Sequence, residues 1–278
     1  MIDPFLIEGP ALVSFSGGRT SAYMLRRILD AHGDALPDDV FVVFADTGKE
    51  RPETYHFVDE IQKRWLVEIH KVERPGGFEQ LIKDRSGLPN GVARWCTGDL
   101  KIKPMRAFMR ARGFKWWAMV VGIRADEPAR VAKMRGIDGD SWDHSLPLAA
   151  AGITEDDVMG FWLSQDFDLK LKQHEGNCDL CFLKSKRKLL NLMAARPGMA
   201  DWWVQMENLA SSQFNLSHTY AQLLAISQEL AKQQALPFDV DVRHISKMGR
   251  APAKKTDLSA QLNLLLDDTD TKPCMCGD

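Results

Sequence analysis

The 278-residue chain has no apolar run approaching the length of a membrane span. Its opening, Met1-Ile2-Asp3-Pro4, lacks the basic and apolar regions of a secretion signal. These two absences lead us to expect a cytoplasmic protein with no membrane partner. An excess of charge is also missing: 36 Lys and Arg face 38 Asp and Glu, a formal net charge of −2. That balance excludes a globally basic nucleic-acid binder but leaves room for a local basic patch. Cysteine is scarce and odd in number, five in all, so no disulfide framework is expected. No internal repeat is visible, and the 45% hydrophobic content is that of an ordinary globular chain.

What is present begins with the apolar run Ala11-Leu12-Val13, followed by Ser14-Phe15-Ser16-Gly17-Gly18-Arg19-Thr20-Ser21 and then the helical pattern Ala22-Tyr23-Met24-Leu25. This is the layout of a strand feeding an anion-binding loop at a helix N-terminus, where glycines let backbone N–H groups approach a phosphate. No Gly-Lys-Ser/Thr follows, so it is not a Walker A loop. On its own the turn is equally well read as an ordinary strand-to-helix connection.

Strand patterns at 11–15, 40–45, 66–72 and 116–122 alternate with helical patterns at 20–31, 52–64, 78–85 and 101–112. Alternation at this spacing predicts an α/β fold, a doubly wound and mainly parallel sheet with helices on both faces. Ligands of such sheets sit at the carboxyl ends of the strands, where Ser16, Asp46 and Gly122 should converge. Residues 86–95, with Gly87, Pro89, Asn90 and Gly91, read as a loop over that site. Thr154 and Asp157 form a capping-box pattern. Beyond residue 189 helical patterns at 189–196, 200–211 and 217–234 predict a helical C-terminal portion, with Trp202 and Trp203 as packing groups. The basic run Lys184, Lys186, Arg187 and Lys188 reads as a solvated helix face, with phosphate contact as the alternative. The domain expectation is 1–165 for the nucleotide-binding α/β domain, 166–235 for a cysteine-bearing helical portion and 236–278 for a partly ordered tail.

Ser16-Gly17-Gly18-Arg19-Thr20-Ser21, together with Asp46-Thr47-Gly48 and Pro52-Glu53-Thr54, resembles the PP-loop (adenine nucleotide alpha hydrolase) superfamily. Within it, the resemblance is to the phosphoadenosine phosphosulfate (PAPS) reductase family. Further matches are Cys96 to Pro104, Gly122 to Arg130, and Leu146-Pro147-Leu148 read as a strand end before a helix, so the likeness covers roughly residues 10–185. It implies that Ser14, Ser16, Gly17, Gly18, Arg19, Thr20, Ser21, Asp46, Thr47, Gly122, Arg124 and Arg130 line a pocket for ATP or a PAPS-like adenine nucleotide with Mg2+. Lys101 and Arg124 would act in catalysis. Arg94-Trp95-Cys96-Thr97, one cysteine where cluster-bearing members have a pair, resembles the DNA phosphorothioation PP-loop branch.

Cys178-Asp179-Leu180-Cys181 places two thiolates where they can face one metal or cluster. Alone the spacing fits zinc, a redox dithiol or an iron-sulfur cluster. With Cys96 supplied from the family's cluster-binding loop, the resemblance implies a 4Fe-4S cluster, zinc being the alternative, with Cys274 or Cys276 as a further ligand or with one iron left open. Two activities share this front half. In one, ATP adenylates an acceptor and sulfur displaces AMP, the acceptor being tRNA, DNA or a small metabolite and the sulfur coming from a donor protein. In the other, a cysteine thiolate, here Cys276, attacks PAPS or APS and a reductant protein completes the cycle. The family's reductases carry Glu-Cys-Gly-x-His, whereas Pro273-Cys274-Met275-Cys276-Gly277-Asp278 keeps only Cys-Gly, which favours the first. A non-catalytic nucleotide-binding module with a structural zinc site is a third reading. Homo-oligomerisation is left open.

Overall fold

The computed structural model describes residues 3–135, 141–172 and 175–232. Among the described residues the chain divides into two compact units, one of 3–81 with 94–179 and one of 82–93 with 180–232. The tail beyond 232, with the expected ligands Cys274 and Cys276, lies outside the described residues.

The first unit is built on a five-stranded sheet of β1 (Ala11–Phe15), β2 (Val40–Asp46), β3 (Ile69–Glu73), β4 (Trp117–Val121) and β5 (Trp142–Ser145). The order is β3-β2-β1-β4-β5 and every neighbouring pair is parallel. Side chains of a strand alternate between faces, and the sequence supplies apolar groups to both. Ala11, Val13 and Phe15 of β1, with Val42 and Phe44 of β2, join the core on one face; Leu12, Val43 and Ala45 join the core on the other. The first face is covered by α1 (Arg19–Ala31), α2 (Pro52–Trp65) and α8 (Glu155–Leu163), through Met24, Leu25, Ile28, Phe57, Ile61 and Trp162. The second is covered by α5 (Lys103–Ala111), through Met105 and Met109. This is the doubly wound sheet that the alternating pattern predicts.

Four details depart from the sequence reading. Leu66 ends α2 in the left-handed region, φ 52° and ψ 36°, so β3 begins at Ile69 rather than 66. Between α3 (Gly77–Arg85) and α5, the chain forms a short α4 (Trp95–Thr97) and a π-turn, Gly98–Ile102, so the helix expected over 101–112 is entered through a wider coil. Beyond Gly122 the structure adds a helix that the sequence patterns do not include, α6 (Pro128–Arg135), opened by Pro128. Leu146-Pro147-Leu148 is not a strand end; the fifth strand is Trp142–Ser145, and Pro147 opens a single helical turn, α7 (Pro147–Ala150). The predicted capping box of α8 is present, Thr154 N donating to Asp157 Oδ2 at 2.8 Å.

The second unit contains α9 (Lys186–Ala195), a 3-10 turn at Pro197–Ala200, α10 (Asp201–Ala210) and α11 (Tyr220–Lys232). Its core is aromatic: Trp203 stacks on Tyr220 with centroids 5.2 Å apart and meets Phe214 at 4.7 Å. The buried Glu207 carboxylate accepts from Tyr220 N at 2.6 Å and Phe214 N at 3.1 Å. Burial raises its pKa despite those bonds. No helix of the described residues is long and apolar enough to cross a membrane.

Candidate nucleotide site

In the strand order β3-β2-β1-β4-β5 the chain winds outward in opposite directions from β1 and β4, and a crevice opens at the carboxyl ends of this switch point. A pocket there is lined by Ser14 of β1, Ser16 of the β1–α1 turn and Ser21 of α1, and by Lys101 and Ile102 of the π-turn and Met105 of α5. Met119, Val121 and Gly122 of the β4 end, Met134 of α6 and His144 of β5 also line it, with Phe15, Ala45 and Thr97. It encloses about 740 Å³ of space, counting the part open to solvent.

The turn between β1 and α1 is held open by its own hydroxyls. Ser16 Oγ and Ser21 Oγ lie 2.9 Å apart, Ser16 N donates to Ser21 Oγ at 3.2 Å, and Ser21 Oγ donates to Gly18 O at 3.0 Å. Gly17 has φ +76°, and a Cβ there would stand 2.6 Å from Thr54 Cγ2, so the position excludes any other residue on two grounds. Gly18 is the N-cap of α1, with no side-chain cap and no acidic residue in the first turn. The 13-residue helix therefore presents its positive end and first N–H groups uncompensated. Gly122 backs directly onto this turn, since a Cβ there would lie 3.4 Å from Ser21 Cα.

Not every residue expected in the pocket turns its side chain there. Arg19 is drawn outward, to Asp168 at 2.6 Å and 2.5 Å and to Leu171 O at 2.9 Å, and its carbonyl accepts from Trp162 Nε1. Asp46 is 6% exposed and committed to Lys71 at 2.5 Å, Tyr55 Oη at 2.7 Å and Gly48 N at 2.7 Å. Burial alone would raise its pKa, but these donors outweigh it and hold the carboxyl below the usual range. Asp46 thus organises the turn after β2, as Asp-Thr-Gly chemistry allows. Thr47 is likewise spent on Glu50, to which it donates through N at 3.0 Å and Oγ1 at 2.9 Å. Burial pushes the Glu50 carboxyl up, opposed by the Lys101 ammonium and the Thr47 hydroxyl.

On the far side, Arg124 reaches over the start of α1, with Nη1 3.4 Å from Thr20 Oγ1. Asp126 at 2.9 Å and Glu155 at 3.6 Å hold its guanidinium. Arg130 pairs with Glu127, while its Nε and Nη2 are buried without a hydrogen-bond partner among the described residues. Met105, Met119, Met134 and His144 escaped the sequence reading. Methionines at helical and strand spacing look like core, and His144 could be found only by seeing that it shares a strand face with Trp142, whose Nε1 donates to His144 Nε2 at 3.2 Å.

Cys96, Cys178 and Cys181 are half-buried thiols. Among the described residues no three His, Cys, Asp or Glu side chains are grouped to hold a metal ion. The described residues thus assemble no complete ligand set, and the further expected ligands Cys274 and Cys276 lie outside them.

A parallel sheet wound both ways from a switch point, with an uncapped helix end beside a lysine-bearing crevice, defines a doubly wound α/β protein with an anion-binding crevice. The chain belongs to the phosphoadenosine phosphosulfate reductase domain family, whose model matches residues 10–170. The uncharacterized nin region protein ORF290 of Escherichia phage lambda is 32% identical over 208 residues, 64% of this chain and 67% of that protein. Adenosine 5'-phosphosulfate reductase of Pseudomonas aeruginosa (strain LESB58) is 25% identical over 234 residues, 73% of this chain and 84% of the enzyme. Among solved structures, the U34-tRNA thiolase NcsA from Methanococcus maripaludis with its [4Fe-4S] cluster matches at 14% identity and a TM-score of 0.43, over 86% of this chain and 78% of that one. A likeness of that size carries no argument about chemistry.

Proposed function

We propose that the protein binds ATP in the β1–β4 crevice, adenylates an acceptor and supports replacement of the adenylate by sulfur. The observation that carries the reading is the uncapped, acid-free N-terminus of α1 opening on a pocket with Lys101 in its wall. Phosphates there would take the first-turn N–H groups and the helix dipole. An acceptor oxygen attacks the α-phosphorus, the new O–P bond forms as the bond to the β-phosphate oxygen breaks, and pyrophosphate leaves; Mg2+, when bound, would supply further charge neutralisation on the phosphates. Sulfur at the oxidation level of sulfide then attacks the acceptor atom that carries the adenylated oxygen and AMP departs with that oxygen, with no net redox change. The chain's part is positioning and charge neutralisation by the loop amides, Lys101, Arg124 and Arg130.

Against a reductase stands the tail sequence, where Met275 precedes Cys276-Gly277 in the place of the Glu of the family's reductases. The adenosine 5'-phosphosulfate reductase relative favours that second reading. One assay separates the two. Purified protein given ATP with candidate tRNA, DNA or small-molecule acceptors is expected to release pyrophosphate only when the acceptor is present, with at least about a hundredfold loss in Lys101→Ala. Sulfite released from APS or PAPS, and abolished by Cys276→Ser, would replace this reading with sulfonucleotide reduction.

A further inference from the structure

Residues 175–179 are fastened to the loops beside the pocket along their whole length. Arg51 N donates to Asn177 O at 2.9 Å, Asp179 N donates to Lys49 O at 2.9 Å, and Glu50 and Cys178 form an isolated antiparallel bridge. The Arg51 guanidinium, 1% exposed, lies 3.3 Å from Glu175 and 3.5 Å from Glu53. One contact goes elsewhere: Asn177, itself buried, donates through Nδ2 to Ser16 O at 3.1 Å.

We infer that Asn177 is a positioning residue coupling the phosphate loop to the segment that carries Cys178. The inference rests on the nucleotide reading above. In a planar trans peptide the carbonyl of one residue and the N–H of the next point in opposite directions. Holding Ser16 C=O therefore fixes the direction of Gly17 N–H, at the residue whose φ of +76° shapes the loop. An anion accepting from that N–H polarises the same peptide and makes its carbonyl a stronger acceptor for Asn177. A filled loop thus tightens 175–179 against 49–51, and by linkage a well-seated 175–179 segment raises affinity for the nucleotide by the same factor.

Amide hydrogen exchange of the full chain with and without ATP·Mg2+ tests this, because it follows two identified donors, Arg51 N and Asp179 N. In the native protein ATP·Mg2+ is expected to slow both by about fivefold or more. In Asn177→Asp, which removes the donor at nearly constant shape, and in Asn177→Ala, which does so without adding charge, the slowing disappears. Affinity for ATP falls by the same factor in Asn177→Ala and further in Asn177→Asp, whose added charge repels the phosphates. A purely structural Asn177 would change exchange equally with and without nucleotide. Native protein that binds ATP with no slowing, or variants that keep it, overturns the coupling and leaves the nucleotide reading standing. Native protein that does not bind ATP overturns both. The native comparison decides even where a variant does not fold.

Discussion

At the scale of single residues, the turn after β2 shows how a family motif divides between holding shape and meeting a ligand. Asp46 keeps its charge because Lys71, Gly48 N and Tyr55 Oη outweigh the cost of burial. Its carboxyl binds a proton less tightly in the folded chain than in the unfolded one, so the unfolded state carries more protons as pH falls. The stabilisation is present above the ordinary carboxylate pKa of about 3.9 and is lost as pH drops through the lower folded value. Asp46→Asn is therefore expected to lower the urea midpoint at pH 7 and to give a shallower loss of stability below about pH 4 than the native chain. Parallel curves for the two proteins would show that Asp46 is not the linked group. The role of Asp46 was half legible: Asp-Thr-Gly announces a turn, but Lys71 and Tyr55 reach it from β3 and α2, contacts that no local pattern encodes. Arg19 makes the same point, since its partner Asp168 is 149 residues distant.

At the scale of elements, legibility followed how much each segment buries on its own account. Ala11–Phe15 and Trp117–Val121 are central strands covered on both faces, and their unbroken apolar runs declare them. Trp142–Ser145 is an edge strand of four residues, Trp-Asp-His-Ser, whose strand state comes from pairing with β4 rather than from its composition. Helix α6 has no buried residue, so its charges look like a loop. Where local chemistry sets the boundary, the sequence speaks plainly: the Thr154–Asp157 box starts α8 as expected. The end of α2 shows the converse. Leu66 occupies the left-handed region at 89% exposure, giving up backbone freedom without burying its side chain. Leu66→Asn, which tolerates that region, should stabilise the first unit by about 0.5–1 kcal/mol, read as a rise in the unfolding midpoint. A fall would mean that Leu66 makes contacts beyond those of an exposed cap.

At the scale of the molecule, five parallel strands bring Ser16, Gly122 and the α5 entry to one crevice although they lie far apart in sequence. Strand order alone specifies where a ligand sits, while the loops decide what it is. The family relation fits that division: residues 10–170 carry the shared domain. The glycine turn could be read from the chain as a strand-to-helix loop, and Lys101 entered only through the family resemblance. The methionine and histidine wall could not, because facing strands and helices only become neighbours once the sheet has formed. The most direct measurement is a crystal structure with a non-hydrolysable ATP analogue and Mg2+. The account predicts the phosphates on the main-chain amides of residues 16–20, with Lys101 alongside. Phosphates seated elsewhere, with the α1 N-terminus left without anion, would contradict it.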